Sequence, residues 1–434
     1  HTLTNLLVKS LPFALTRAQK KAWATIAHDL AQPHPMRRLL QGDVGSGKTL
    51  VAALAALQAI ENDWQVALMA PTEILAEQHY LKLAHWLEPL GVKVSWLAGS
   101  LKARAKKAAA EAIARGETQL AIGTHALFQE GVDFQRLGLA IVDEQHRFGV
   151  AQRLALTGKG TEPHQLMMSA TPIPRTLSMS YYADLDVSVI DELPPGRTPV
   201  VTKLVDESRR DEVIQRIRAS CADGAQAYWV CPLIEESETL QLKTALETFE
   251  TLKATFPDLA VGLVHGRMKP DEKAQVMADF KAKRVQLLVA TTVIEVGVDV
   301  PNATLMVIEH AERMGLAQLH QLRGRVGRGT GRSLAILLYH QPLSEMARAR
   351  LKVIYGTTDG FEIARQDLLQ RGPGEYLGAR QSGAPLLRFA DLERDTDLIE
   401  LAREVADTML SERSHAVERH LDRWLGHRQF YLKA

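Results

Sequence analysis

The chain has 434 residues, 46% of them hydrophobic and 24% charged, with a formal net charge of +1. Those proportions exclude wholesale disorder, and the length exceeds what one hydrophobic core usually serves, so two or three domains are expected. No apolar run reaches membrane-spanning length, two cysteines are too few for a disulfide scaffold or a zinc site, and aromatics at 6% leave little material for base-stacking platforms. A cytoplasmic protein without a membrane partner is expected, and the near-neutral total leaves nucleic acid open, because a basic stripe can hide inside it. The first residue is His1 rather than Met, which reads as a fragment lacking an amino-terminal part.

Over the first 190 residues short apolar runs alternate with amphipathic stretches. Strands are expected at Arg38–Gln41, Val66–Ala70, Val92–Leu97, Leu120–Gly123, Leu139–Asp143 and Gln165–Ser169, with helices at Lys48–Ile60, Ile74–Trp86 and Ala103–Arg115. Strands separated by helices of that length imply right-handed crossovers and a parallel sheet. Glu192 to Pro199 packs three prolines and a glycine into eight residues, which reads as a linker. The alternation then restarts, with strands at Gln226–Val230, Val261–Val264, Val285–Ala290, Thr304–Ile308 and Leu334–Tyr339 and helices at Glu238–Thr255 and Asp271–Lys281. Beyond Pro342 the strand pattern stops; Ser344–Ile354 and most of Leu392–Leu425 read as helical, a tail too short for another α/β domain and expected to pack on the second one. The fold class is therefore α/β, with two tandem parallel-sheet lobes and a mainly helical C-terminal element. The divisions are placed at 1–192, 193–345 and 346–434.

Gly42-Asp43-Val44-Gly45-Ser46-Gly47-Lys48-Thr49 fits G-x-x-x-x-G-K-[ST] between a short apolar run and an Ala-rich helix. Glycines let backbone N–H groups close around phosphate oxygens, and the helix amino end adds a favourable dipole. Gly42, Gly45 and Gly47 would form the cradle, Lys48 would reach the β- and γ-phosphates of ATP, and the Thr49 hydroxyl would ligand Mg²⁺. Leu139 to Glu144 is an apolar strand ending in two carboxylates, where Asp143 would hold Mg²⁺ and Glu144 would orient or deprotonate the attacking water. A kinase would pass the phosphoryl group to a hydroxyl; a glutamate beside the aspartate favours hydrolysis. The second half carries Gln321-Leu322-Arg323-Gly324-Arg325-Val326-Gly327-Arg328-Gly329. Guanidinium forks among glycines could reach a developing phosphate charge, and a solvated basic turn or a nucleic-acid backbone contact are the other readings of that run.

Taken together these segments resemble the helicases of superfamily two, whose two RecA-like lobes clamp ATP. Phe13, Thr16, Arg17 and Gln19 look like the adenine-reading segment; Ala70-Pro71-Thr72-Glu73 and Gly123-Thr124-His125 resemble strand-gripping motifs. Asp143-Glu144-Gln145-His146 has the DExH form, Ser169-Ala170-Thr171-Pro172 follows, and Val264 to Arg267, Ala290 to Asp299 and Gln321 to Arg328 complete the order. Asp143 to Val150, Ser169 to Thr176, Thr291 to Pro301, and Arg371 to Glu375 with Gln381-Ser382-Gly383 are similar to the RecG family of bacterial branch-migration DNA helicases, from about Leu11 onward. The nearest alternative is a transcription-repair coupling type translocase that displaces a DNA-bound protein.

The RecG resemblance implies an ATP-dependent DNA helicase or duplex translocase acting on forks, Holliday junctions and R-loops in recombination and repair. ATP and Mg²⁺ are its cofactors and branched or duplex DNA its partner, with a single-strand-binding protein as a further partner and a monomer as the expected state. It makes Lys48, Glu144, Arg325 and Arg328 catalytic, with Arg325 and Arg328 as arginine fingers, and adds Phe13, Arg17, Gln19 and Gln321 to the ATP site. Arg350, Arg371 and Gln381 match the element that turns lobe closure into movement on duplex DNA; from composition alone that region reads as an ordinary helical cap. Thr72, Thr124, Thr291 and Thr292 suit sequence-independent phosphate contacts to DNA. The basic cluster Lys102 to Lys107 reads as a solvated helix face ahead of a duplex contact, and His125 and His146 as hydrogen-bonding relays rather than metal ligands. The family's amino-terminal wedge domain has no counterpart in these residues, so weak DNA binding with poor branch discrimination is expected. A metabolic phosphotransferase and a non-catalytic DNA scaffold are the competing classes; the first leaves the second lobe unexplained, the second leaves the phosphate loop and carboxylates idle.

Overall fold

A computed structural model describes residues 2–128, 131–143, 162–170, 185–192, 198–231, 238–291, 300–329, 331–371, 397–412 and 414–424. Its strands are β1 (Arg37–Gly42), β2 (Gln65–Met69), β3 (Val94–Leu97), β4 (Leu120–Gly123), β5 (Leu137–Asp143), β6 (His164–Ser169), β7 (Asp186–Ile190), β8 (Val201–Asp206), β9 (Gln226–Cys231), β10 (Val261–Val264), β11 (Leu287–Thr291), β12 (Ala303–Ile308) and β13 (Leu334–Tyr339). They form two sheets, ordered β3-β4-β2-β5-β6-β1-β7 and β10-β11-β9-β12-β13-β8. Every neighbouring pair in both is parallel. The chain passes from the first sheet to the second between Ile190 and Val201, the proline-rich stretch read as a linker, of which residues 193–197 lie outside the described residues.

Both sheets are covered on both faces, which explains why their central strands read as unbroken apolar runs. In β9 the side chains alternate between two cores: Tyr228 and Val230 enter one cluster, Ala227, Trp229 and Cys231 the other. The Lys48–Glu61 helix is buried all round from Leu50 to Leu57, because β-strands cover one side and the helices Thr2–Ser10 and Arg17–Leu30 cover the other. Four alanines among those residues let the backbones approach closely.

Two strands escaped the sequence reading, β7 and β8. Each is the edge of its sheet and only partly buried, with Ser188 and Ile190 buried in β7 and Thr202 alone in β8, and neither presents the continuous apolar run that marks the interior strands. The first two helices of the tail pack on the second sheet, as expected: Ala347, Leu351 and Ile354 of the helix Glu345–Gly356 are buried, and Leu351 and Ile354 enter the core of the second sheet together with Ile363 of the helix Gly360–Arg371. Helices Asp397–Glu412 and Ser414–Trp424 pack on each other. No helix among the described residues is long and apolar enough to cross a membrane. Cys221 and Cys231 are free and buried, and burial pushes the Cys221 thiol up to about 11.

Candidate nucleotide cleft

Strand β1 runs into the phosphate loop, and Lys48 opens the following helix. Gly45 and Gly47 take left-handed backbone angles, φ 78° and 94°. At Gly47 a side chain is excluded twice over, since a Cβ there would also lie 2.2 Å from Gln19 Nε2. The Lys48 ammonium folds back over its own loop, donating to Gly42 O at 2.6 Å and Asp43 O at 3.0 Å. Backbone amides, a helix amino end and a lysine thus converge on one small cradle, the donor set that a polyphosphate requires.

Gln19 supports that cradle from behind. It is buried; Nε2 donates to Ser46 O at 2.8 Å, and Oε1 accepts from Thr16 N while Thr16 Oγ1 accepts from Gln19 N. This capping box starts the Arg17–Leu30 helix, so one amide both caps a helix and fixes the loop. Phe13 is about half exposed, and Arg17 is exposed beside Glu192, 3.4 Å away. Glu192 also accepts from Ala18 N, tying the start of that helix to the stretch just after β7.

Register carries Asp143 to the same edge. Met168 of β6 pairs with Leu40 of β1 on one side and with Asp143 of β5 on the other, so Asp143 stands two strands, about 10 Å, from the strand that feeds the loop. Its carboxylate is buried, and Oδ2 meets His79 Nε2 at 2.7 Å. His79 is itself buried, on the helix Glu73–Leu87. It was missed in the sequence, where nothing in its spacing sets it apart. A carboxylate and the Thr49 hydroxyl are hard oxygen donors of the kind Mg²⁺ prefers, so the residues at this edge fit an ATP–Mg²⁺ group. Glu144, expected to act on water, lies outside the described residues.

The arginine-bearing turn of the second sheet reaches this loop. His320, on the helix Leu316–Arg323, places Nε2 2.9 Å from both oxygens of Asp43. A Cβ built on Gly324 would stand 3.4 Å from Val44 Cβ, ordinary van der Waals contact. Gln321 therefore lies on a helix pinned to the loop, and Arg325 and Arg328 follow within a turn; Arg328 Nε donates to Gly324 O at 3.4 Å. Burial acts to raise the Asp43 carboxyl but is outweighed by the hydrogen bonds from His320 and the Val44 amide and by the nearby Lys48 ammonium, which together hold it below its ordinary value. Burial lowers Arg323 to about 10, against the opposing pull of Asp43. Neither His320 nor Arg323 was singled out as a site residue, although both stand in or beside the motif run.

Of the residues expected on the DNA path, the described threonines stand at or just beyond the carboxyl ends of β2, β4 and β11, and the arginines on the helices that follow β13. Thr72 caps the helix Glu73–Leu87, its Oγ1 accepting from Leu75 N at 3.4 Å. Thr124 follows β4 and Thr291 ends β11; both are buried, and the Thr291 hydroxyl has no hydrogen-bond partner among the described residues. Arg350 sits on the helix Glu345–Gly356 and donates from Nη2 to Glu312 O at 2.8 Å. Arg371 ends the helix Gly360–Arg371, while Thr292, His146 and Gln381 lie outside the described residues. The run Lys102–Ala105 and Lys107 are exposed. His310, Glu312 and His340 cluster at the second sheet's edge, but the two imidazoles stack 4.4 Å apart with planes 11° from parallel. Lone pairs lying in parallel planes do not meet at one ion.

A phosphate loop on one parallel sheet, faced by an arginine turn from a second, defines the two-lobed RecA-like architecture of superfamily-two helicases. The chain is 60% identical over 421 residues to the ATP-dependent DNA helicase RecG of Acidithiobacillus ferridurans, which covers 97% of this chain and 62% of that protein. Over nearly its whole length it is similar to proteins of the RecG family. The Escherichia coli K12 RecG is 57% identical over 438 residues, 100% of this chain and 63% of its own length. The chain thus spans about three-fifths of these relatives. Models of DEAD/DEAH box helicases, of the helicase conserved C-terminal domain and of domain 3 (C-terminal) of the ATP-dependent DNA helicase RecG match residues 16–180, 208–330 and 357–423. A solved RecG bound to a three-way DNA junction superposes with a TM-score of 0.77 at 46% identity, covering 92% of this chain and 52% of that one. The yeast protein Dbp5, solved with RNA and ADP BeF3, shares the fold at 16% identity, with a TM-score of 0.62 over 86% of this chain and 96% of its own.

Proposed function

We propose that this chain is an ATP-hydrolysing motor that moves on duplex DNA and acts at branched DNA, in recombination and repair. The observation that carries the reading is the meeting of Asp43 in the phosphate loop with His320 on the helix that leads into Arg325 and Arg328. Two sheets that touch at a phosphate cradle make a cleft able to open and close, whereas a phosphotransferase on one sheet has no use for the second. Lys48 and the loop amides would hold the polyphosphate, and Thr49 with Asp143 would hold Mg²⁺, which supplies charge neutralisation when bound. Glu144 would orient water, and Arg325 and Arg328 would meet the charge that develops on the terminal phosphate. The adenine would stack by Phe13 and Arg17, with Gln19 holding the phosphate loop from behind and Gln321 facing the nucleotide from the second lobe.

On this reading, residues 1–192 and 193–345 are the two motor lobes and 346–434 is the lever, with Arg350, Arg371 and Gln381 converting closure into movement. Thr72, Thr124, Thr291 and Thr292 would grip DNA through backbone and hydroxyl contacts to phosphates, which gives tracking without sequence preference. The protein would work as a monomer. Similarity to a RecG held on a three-way junction supports branched DNA as the substrate. The test is ATP turnover at fixed ionic strength with no DNA, single strand, linear duplex and forked duplex. Stimulation by duplex or fork is expected; turnover indifferent to all DNA would overturn the motor and favour a phosphotransferase.

A further inference from the structure

A hydrogen-bonded chain of side chains runs from the phosphate loop, through the second lobe, to the base of the C-terminal helices. Asp43 accepts from His320 Nε2 at 2.9 Å. The other ring nitrogen, Nδ1, lies 3.0 Å from Arg323 Nη2. A guanidinium can only donate, so Nδ1 accepts and the ring proton sits on Nε2, directed at Asp43. Arg323 Nη1 donates in turn to Ile354 O at 2.7 Å, Thr357 O at 2.9 Å and Thr202 Oγ1 at 3.2 Å. Ile354 and Thr357 carry the carbonyls at the carboxyl end of the helix Glu345–Gly356, where a cation is most favoured. The next helix, Gly360–Arg371, starts three residues later.

His320 and Arg323 are almost wholly buried, at 6% and 3% exposure, so water does not compete for these bonds. Packing between core residues would need neither a charged nor a bifunctional group here. A ring that accepts on one side and donates on the other links two groups of opposite character, the carboxylate of one lobe and the guanidinium of the other. We infer that His320 is a positioning residue for the proposed hydrolysis cycle, reporting the state of the phosphate loop to the helices at 345–371 through Arg323. Rearrangement of the loop around a nucleotide moves Asp43, and the bonds on either side of His320 pass that shift to the end of a rigid helix rather than dissipating it in loops. This rests on the nucleotide reading above.

The experiment is hydrogen exchange along the whole chain, with and without Mg²⁺ and a non-hydrolysable ATP analogue. In the wild type, protection should change both at residues 42–50 and at 345–371. In His320→Leu the loop should still respond, while the response at 345–371 falls by at least about 5-fold. His320→Gln should restore it, because its amide can accept from Arg323 and donate to Asp43, whereas leucine matches only the volume. DNA stimulation of ATP turnover should follow the same order. A response at 345–371 in His320→Leu equal to the wild type would overturn the relay, as would a wild-type loop response without one at 345–371. Absence of any response at the wild-type loop would overturn the nucleotide reading itself. If His320→Leu does not fold, Asp43→Ala at saturating analogue takes its place with the same two outcomes.

Discussion

His79 Nε2 stands 2.7 Å from Asp143 Oδ2, and both side chains are buried. The contact joins the helix after β2 to the end of β5, so it fixes the angle at which a carboxylate proposed for Mg²⁺ faces the phosphate cradle. Removing the imidazole would leave a desolvated acid without this partner. His79→Leu is therefore expected to lower stability by about 1–3 kcal/mol, read as a shifted urea midpoint at unchanged slope. Mg²⁺ dependence of nucleotide binding should shift to higher concentration in the same variant, while His79→Asn keeps part of both.

Gly47→Ala should be among the most damaging small substitutions in the chain. The new methyl would require a left-handed backbone angle and would collide with Gln19 Nε2, which is already bound to Ser46 O. Strain of about 1–3 kcal/mol is expected at the loop, and nucleotide affinity measured by calorimetry should fall at least about tenfold.

Lys48→Ala removes the ammonium now resting on Gly42 O and Asp43 O. Phosphate release should fall by about two orders of magnitude or more, because a charge that follows the transferring phosphoryl group is lost. The thermal midpoint should move little. A variant that retained turnover would remove Lys48 from the site.

The Asp43 carboxyl is held below its ordinary value in the folded chain. A carboxyl lowered on folding contributes stability above its unfolded value, and that contribution disappears as pH falls through the lowered one. Asp43→Asn should therefore destabilise the chain by a constant amount at pH 5–7, and the gap from wild type should narrow below pH of about 4. Thermal midpoints of the two proteins across that range decide the matter.

The chemistry of the first lobe was legible because it is local. A loop from Gly42 to Thr49 sits between a strand and a helix, and no distant residue is needed to recognise a phosphate cradle there. Strands such as Leu120–Gly123 and Leu334–Tyr339 were read to the residue, since burial on both faces writes a continuous apolar run. The edge strands Asp186–Ile190 and Val201–Asp206 were not, because partial burial leaves polar residues such as Ser188, Thr202 and Lys203 within them and no continuous apolar run. The order of the motifs along the chain by itself points to two lobes.

What sequence could not supply is partnership across the fold. Gln19 reads as a nucleotide contact, yet its amide is engaged by Thr16 and Ser46, which only the folded loop brings within reach. His79 is 64 residues from Asp143, and His320 is 277 from Asp43. Side chains that far apart meet because parallel crossovers return each strand end to one edge, and because two sheets happen to abut there. Residue type and local spacing determined that a triphosphate could be bound; the closing of two sheets on one loop decided which histidines would stand guard over it.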